Sequence, residues 1–216
     1  MSKESYEVWL TQLFEHDESK GDWRWDDEVD DFTWNEEQIV NLVTKTLKNY
    51  REDVAHYSDW QIAMGVDFIF NSGQEYAYAL RDGSVPIENR IEAIRSIKYI
   101  YKYCFDRRCD QVLGHLSEPG NPLNDICYML WDVTPLIYCE DNPRKQALYE
   151  AVADVMEYSL SCRNVACIES GLHGPEYLTP YFPAAKDIIQ SFIESGIKLD
   201  PRLLEYAEAA KSDCIN

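Results

Sequence analysis

Apolar positions recur at spacings of three and four along most of this chain, and each run is closed by a cap or a breaker. Tyr6, Trp9, Leu10, Leu13 and Phe14 make a first amphipathic helix that ends near His16. Asn35 with Gln38 is a capping-box signal, and Ile39, Val43, Leu47 and Tyr50 continue one face behind it. Trp60, Met64, Val66, Phe68, Ile69 and Phe70 form the next apolar segment, with Gly73 placed as a C-terminal stop. A short helix from Glu75 to Leu80 closes at Arg81-Asp82-Gly83. Pro86 opens a longer one, with Ile87, Ile91, Ile94, Ile97, Tyr101 and Cys104 facing inward and Arg90, Arg95, Lys98 and Lys102 on a basic outer face.

Pro119-Gly120-Asn121-Pro122 predicts a loop, and the run Ile126 to Trp131 is apolar on every side, as a fully buried helix would be. Pro135 ends that helix. Asp141-Asn142-Pro143 predicts an N-cap with proline at the first position of a helix reaching about Leu160. In the stretch Asn164 to Leu178, Gly171, Gly174 and Pro175 predict a tight inter-helix turn just after His173. Pro183 opens another helix, stopped by Ser195-Gly196, and Asp200-Pro201 caps the last. No stretch alternates at period two between hairpin-type turns, so the prediction is all-α.

Apolar helices centred near Met64, Ile97, Leu130 and Ile168 recur at intervals of roughly 33 to 38 residues, the period of helix-pair solenoids. A HEAT-like stack of antiparallel helix pairs is favoured over an irregular globular bundle. Either architecture makes residues 1–216 a single domain.

Charge narrows the function classes. The net charge of −19 removes the basic footprint that nucleic-acid binding needs. Such a surface attracts basic partners, or serves solubility alone. The segment 17–37 holds ten acidic and two basic residues, interleaved with Trp23, Trp25, Phe32 and Trp34. It reads as a connector packed at least partly on the body, or as an arm offering Trp23, Trp25, Asp26, Asp27, Asp30, Asp31 and Trp34 to a partner. No apolar run is long enough to span a membrane, and Met1 to Glu7 shows no signal-peptide pattern. The seven cysteines, odd in number and irregularly spaced, fit reduced thiols in a cytoplasmic protein.

Two segments carry a resemblance. Cys127-Tyr-Met-Leu-Trp-Asp132, followed by Pro135-Leu136, and Ala166-Cys-Ile-Glu-Ser-Gly-Leu-His-Gly174 resemble paired motifs of an uncharacterised bacterial family of α-helical, HEAT-like proteins. That family shows Cys-Tyr-Met-x-Trp-Asp in one helix and Glu-Ser-Ala-Leu-His-Gly-Leu-Gly-His in a later one. The resemblance covers roughly residues 55–195 and implies the fold rather than an activity. Gly171 stands where the family has alanine. Pro175-Glu176-Tyr177 replaces Leu-Gly-His, so a second histidine is missing and a two-histidine metal site is not implied.

The chemistry on offer is sparse. Glu169 and His173 stand four apart, which on one helix face predicts a shared hydrogen bond. With Asp132 they are the candidates for acid–base work, whereas Ser170 points about 100° away from Glu169 on a helix, so no ready triad results. The alternative is a structural network of Trp131, Asp132, Glu169, Ser170 and His173 that fixes how helices meet. Cys104 with Cys109, and Cys162 with Cys167, have a five-residue offset that suits zinc poorly. His16, His56, His115 and His173 are scattered, so neither a metal nor another cofactor is expected. No Walker loop, dinucleotide fingerprint or nucleophile elbow occurs. The expectation is a non-enzymatic protein that binds a basic partner, as an immunity or inhibitor protein masks a toxin. The alternatives are a hydrolase or ligand-binding protein with its site at Glu169 and His173, and a DNA-mimic inhibitor.

Overall fold

A computed structural model describes residues 3–24, 34–196 and 200–213. The fold is all-α, and no strand occurs among the described residues. In chain order the helices are α1 (Lys3–Phe14), α2 (Glu36–Lys48), α3 (Tyr50–Asp53), α4 (Asp59–Phe70) and α5 (Tyr76–Arg81). Then come α6 (Ile87–Ser96), α7 (Lys98–Ile100), a π-helical turn (Tyr101–Phe105) and α8 (Asp106–Arg108). Last are α9 (Pro122–Val133), α10 (Lys145–Ser159), α11 (Val165–Leu178), α12 (Lys186–Glu194) and α13 (Pro201–Asp213).

Side-chain caps start several of the longer helices. Asn35 and Gln38 form the capping box of α2, and Ser58 with Gln61 forms a second one at α4. Asn121 accepts from the Leu123 amide ahead of α9, and Asn164 accepts from the Ala166 amide ahead of α11.

Three boundaries differ from the sequence expectation. Pro143 does not open α10. The Asn142 side chain and carbonyl accept from the Arg144 and Lys145 amides at 2.8 and 3.0 Å, which makes a turn there and delays the helix to Lys145. No turn follows His173, because α11 runs on through Pro175 to Leu178. A proline inside a helix removes one amide donor, and here the loss is local. The Pro175 carbonyl still accepts from the amide and hydroxyl of Thr179 at 2.9 and 2.7 Å. Finally, α9 is not apolar-buried all round, since Met129 is exposed and Ile126 and Tyr128 are half-buried. The most enclosed helix is α11, with eleven of its fourteen residues buried.

Packing follows two rows. In one, α1, α4, α9, α11 and α13 lie each against the next; in the other, α2, α6 and α10 do the same. α10 also lies along α11. The large core runs from Tyr6 to Ala185, and a smaller one gathers Leu113, Ile168, Leu172, Ile189, Phe192, Leu203, Ala207 and Ala210. α11 feeds both, with Ala166, Cys167 and Leu178 in the first and Ile168 and Leu172 in the second. Its glycines explain how α10 comes so near. A methyl group at Gly171 would meet Ser159 Oγ and lie 2.8 Å from the Met156 carbonyl oxygen. At Gly174 it would lie 2.7 Å from Met156 Cε and 2.8 Å from Trp131 Cδ1.

The expected basic face is largely spent within the fold. Arg90 turns inward and donates to the Val85 and Arg81 carbonyls at 3.0 and 2.6 Å. Arg95 pairs with Asp154 at 2.7 Å, and the Lys98 and Lys102 ammoniums lie over the Tyr99 and Tyr103 rings. Among the described residues no helix is long and apolar enough to cross a membrane.

Candidate functional site

The two motif-bearing helices, α9 and α11, lie against each other, and their polar residues meet partners from α13 and from the 113–118 loop. His173 is at the centre. Its Nε2 lies 2.9 Å from Asp132 Oδ2 and its Nδ1 lies 2.7 Å from the Tyr206 hydroxyl. Tyr128 stacks on the imidazole with centroids 4.6 Å apart, and Tyr177 meets it edge-on at 5.0 Å.

The protonation pattern follows from these distances. Burial opposes ionisation of Asp132, but hydrogen bonds from His173 and Tyr177 outweigh it and hold the carboxyl below its usual range. An ionised Asp132 accepts, so the Nε2 of His173 carries the proton of that bond and Nδ1 meets the Tyr206 hydroxyl. Tyr206 supplies that second bond as a phenol, because burial first, then nearby Tyr128, Glu169 and Glu176, push its ionisation far up.

Glu169 does not bond to His173 as the four-residue spacing predicts. It is buried and faces the Gly114–Leu116 turn, where its two oxygens accept from the Gly114 and His115 amides at 2.8 and 3.0 Å. The same carboxylate pairs with His115 Nδ1, and the His115 ring stacks on Tyr206 at 4.3 Å. Ser170 turns the other way, to the Tyr101 hydroxyl in the π-turn at 2.7 Å, while Trp131 is buried beside Gly174. His115, Tyr128 and Tyr206 were not among the sequence candidates. They stand 33 to 54 positions from the α11 residues they join, and only the packing of α9, α11, α13 and the 113–118 loop brings them in.

As catalytic machinery the arrangement is closed. Both nitrogens of His173 and both oxygens of Glu169 are committed to protein partners, and the hydroxyl on His173 Nδ1 is that of half-buried Tyr206, a phenol whose pKa is raised. A general base needs a nitrogen or oxygen within reach of a substrate proton. The arrangement joins three helices and a loop.

A cleft of about 450 Å³ opens beside this network, between the 112–120 loop and α9. Glu118, Asp125, Glu169, Tyr128 and Met129 line it, and no Lys or Arg does. Gly114 fits under the Tyr128 ring, where a methyl group would lie 2.8 Å from the ring carbon Cγ. Ser117 closes the loop with φ +56°. Glu118 is spent on the Leu113 amide and Arg202, whereas Asp125 is exposed on the cleft wall. Met129, 39% exposed, lines the same cleft, and Leu116, 47% exposed, follows the lining residue Gly114.

The described ends of the acidic segment pack on the body, as the connector reading expects. Trp23 is only 6% exposed, stacked on His16 at 3.7 Å and packed against Phe68. Trp34 meets Trp9 edge-on and donates to Gln12 Oε1 at 3.2 Å. Both are used inside the fold, Trp23 buried and Trp34 half-buried. Arg24 next to Trp23 pairs with Asp22 and with buried Asp67 of α4. Trp25, Asp26, Asp27, Asp30 and Asp31 lie outside the described residues.

No protein-family model, curated protein or solved structure matches the chain.

Proposed function

We propose that this chain is a non-enzymatic binding protein for a basic protein, of the kind that masks a toxin as an immunity or inhibitor protein does, and that it works in the cytoplasm. The net charge of −19 carries the reading, because it favours encounter with a positively charged surface over any anionic ligand. The cleft beside α9 supports it. Asp125 is exposed on the cleft wall, whereas Glu118 is paired with Arg202, and Met129 supplies an adaptable apolar contact for the stem of a lysine or arginine. The closed His173 and Glu169 networks weigh against the hydrolase alternative, since they present no acid, base or nucleophile. The resemblance to HEAT-like proteins adds a fold suited to presenting such a surface.

The test is affinity capture from the source cells, with wild-type chain and an Asp125→Lys/Met129→Lys variant side by side. A basic protein held in equal amount by the wild type, released by salt and lost by the variant, is the expected result. Equal retention by both chains, or retention indifferent to salt, overturns the reading.

A further inference from the structure

Away from the histidine network, the fold gathers thiols that sequence spacing leaves apart. Cys162 lies in the turn between α10 and α11, and Cys167 lies in the first turn of α11. Asp106 reaches them from the residue after the π-turn. One carboxylate oxygen and the two sulfurs all lie within 4.8 Å of one another. Cys127 of α9 is buried nearby and donates to the Ala166 carbonyl, one residue before Cys167, at 3.6 Å.

From this geometry we infer that Asp106, Cys162 and Cys167 form a binding site for a thiophilic divalent cation, zinc by its ligand chemistry. Tetrahedral zinc takes sulfur at about 2.3 Å and carboxylate oxygen at about 2.0–2.2 Å, which places its donors about 3.5–3.8 Å apart. The three donors therefore need to close by about 1 Å at most. Water fills the fourth position.

Three features separate this from incidental packing. The Asp106 carboxylate is oriented by two backbone amides, Arg163 and Asn164, which donate to the same Oδ1 at 2.6 and 2.8 Å. Outer hydrogen bonds of this sort hold metal-ligating carboxylates in place. Cys167 lies in the first turn of α11, where the helix amides favour negative charge on its sulfur. A carboxylate facing that thiolate is electrostatically costly until a cation lies between them, which argues against a mere thiol–disulfide pair. Access is also provided, because Cys162 and Asp106 are only half-buried. Zinc takes both sulfurs as thiolates, so binding displaces thiol protons to solvent and affinity rises with pH.

The experiment titrates reduced full-length chain with cobalt(II), a coloured stand-in for zinc, and then displaces it with zinc alone. The expected result is one cobalt per chain, with the near-ultraviolet absorption of thiolate-to-cobalt charge transfer, lost on zinc addition. Cys162→Ser and Asp106→Asn each abolish or weaken the signal by at least tenfold. Asp106→Asn retains the oxygen that the two amides bind, and both variants are checked for an unchanged metal-free melt. Cys139→Ser, a buried thiol elsewhere, leaves the titration unaltered. An absent cobalt signal in the reduced wild type, or one that survives in Cys162→Ser, overturns the site. So does a chain that purifies with Cys162 and Cys167 joined and, once reduced, binds no metal.

Discussion

Replacing His173 by alanine tests whether the three-helix network works as described. The substitution removes two hydrogen bonds, one to the carboxylate of Asp132 and one to the phenol of Tyr206. The first is charge-assisted and contributes about 1.5–3 kcal/mol, the second about 0.5–1.5 kcal/mol. The stack on Tyr128 adds about 0.5–1.5 kcal/mol. These terms share atoms and do not add fully, so about 3–5 kcal/mol is expected. That is a large share of the roughly 5–15 kcal/mol that holds a domain folded. At about 2–4 °C per kcal/mol for a chain of this size, the melting temperature drops by about 6–20 °C.

Urea unfolding followed by circular dichroism measures the loss, and a double-mutant cycle with Tyr206→Phe isolates the phenol bond, with a coupling of about 0.5–1.5 kcal/mol. The pH dependence gives a second reading. Asp132 is held below its unfolded pKa, so its stabilisation is complete above about pH 4 and fades as pH falls through the depressed folded value. The gap between wild type and Asp132→Asn therefore narrows in acid. A loss under 1 kcal/mol for His173→Ala, or zero coupling to Tyr206, refutes the network.

Gly171→Ala forces a methyl group into Ser159 Oγ and the Met156 carbonyl, and is expected to cost about 1–3 kcal/mol by urea titration, although alanine favours helix. Trp23→Ala empties the site between His16 and Phe68 and is expected to cost about 3–5 kcal/mol. A tryptophan displayed to solvent for a partner would cost almost nothing, so the same melt separates the two roles.

Helix identity was legible because caps and periodicity act over a few neighbouring residues. The Asn35–Gln38 box and the Asp200-Pro201 start stand where the pattern places them. Failures arose where distant contacts outweigh local preference. Pro175 is tolerated because α11 is enclosed by α9, α10 and α13, which stabilise it more than one missing amide destabilises it. The spacing of Glu169 and His173 correctly implied a common helix and wrongly implied a common bond. Each side chain instead bonds where another helix or loop supplies a donor. The cysteines follow the same logic, since Cys162 and Cys167 look poorly spaced for a metal until Asp106 arrives from 56 positions earlier.

The division of the interior into two cores has a consequence for motion. α12 and α13 bury most of their apolar faces in the smaller core, with Ile188 of α12 also against the larger one, and α11 is the main wall they share with the rest. A terminal helix pair of this kind is a natural unit of sub-global unfolding, released at lower free energy than the whole. Amide hydrogen exchange should then run fastest in α12 and α13 and slowest along the α9 side of α11. The Tyr206–His173 bond latches the two units together. Each opening of the pair would bare Ile168 and Leu172 and, for that interval alone, leave Nδ1 of His173 facing water.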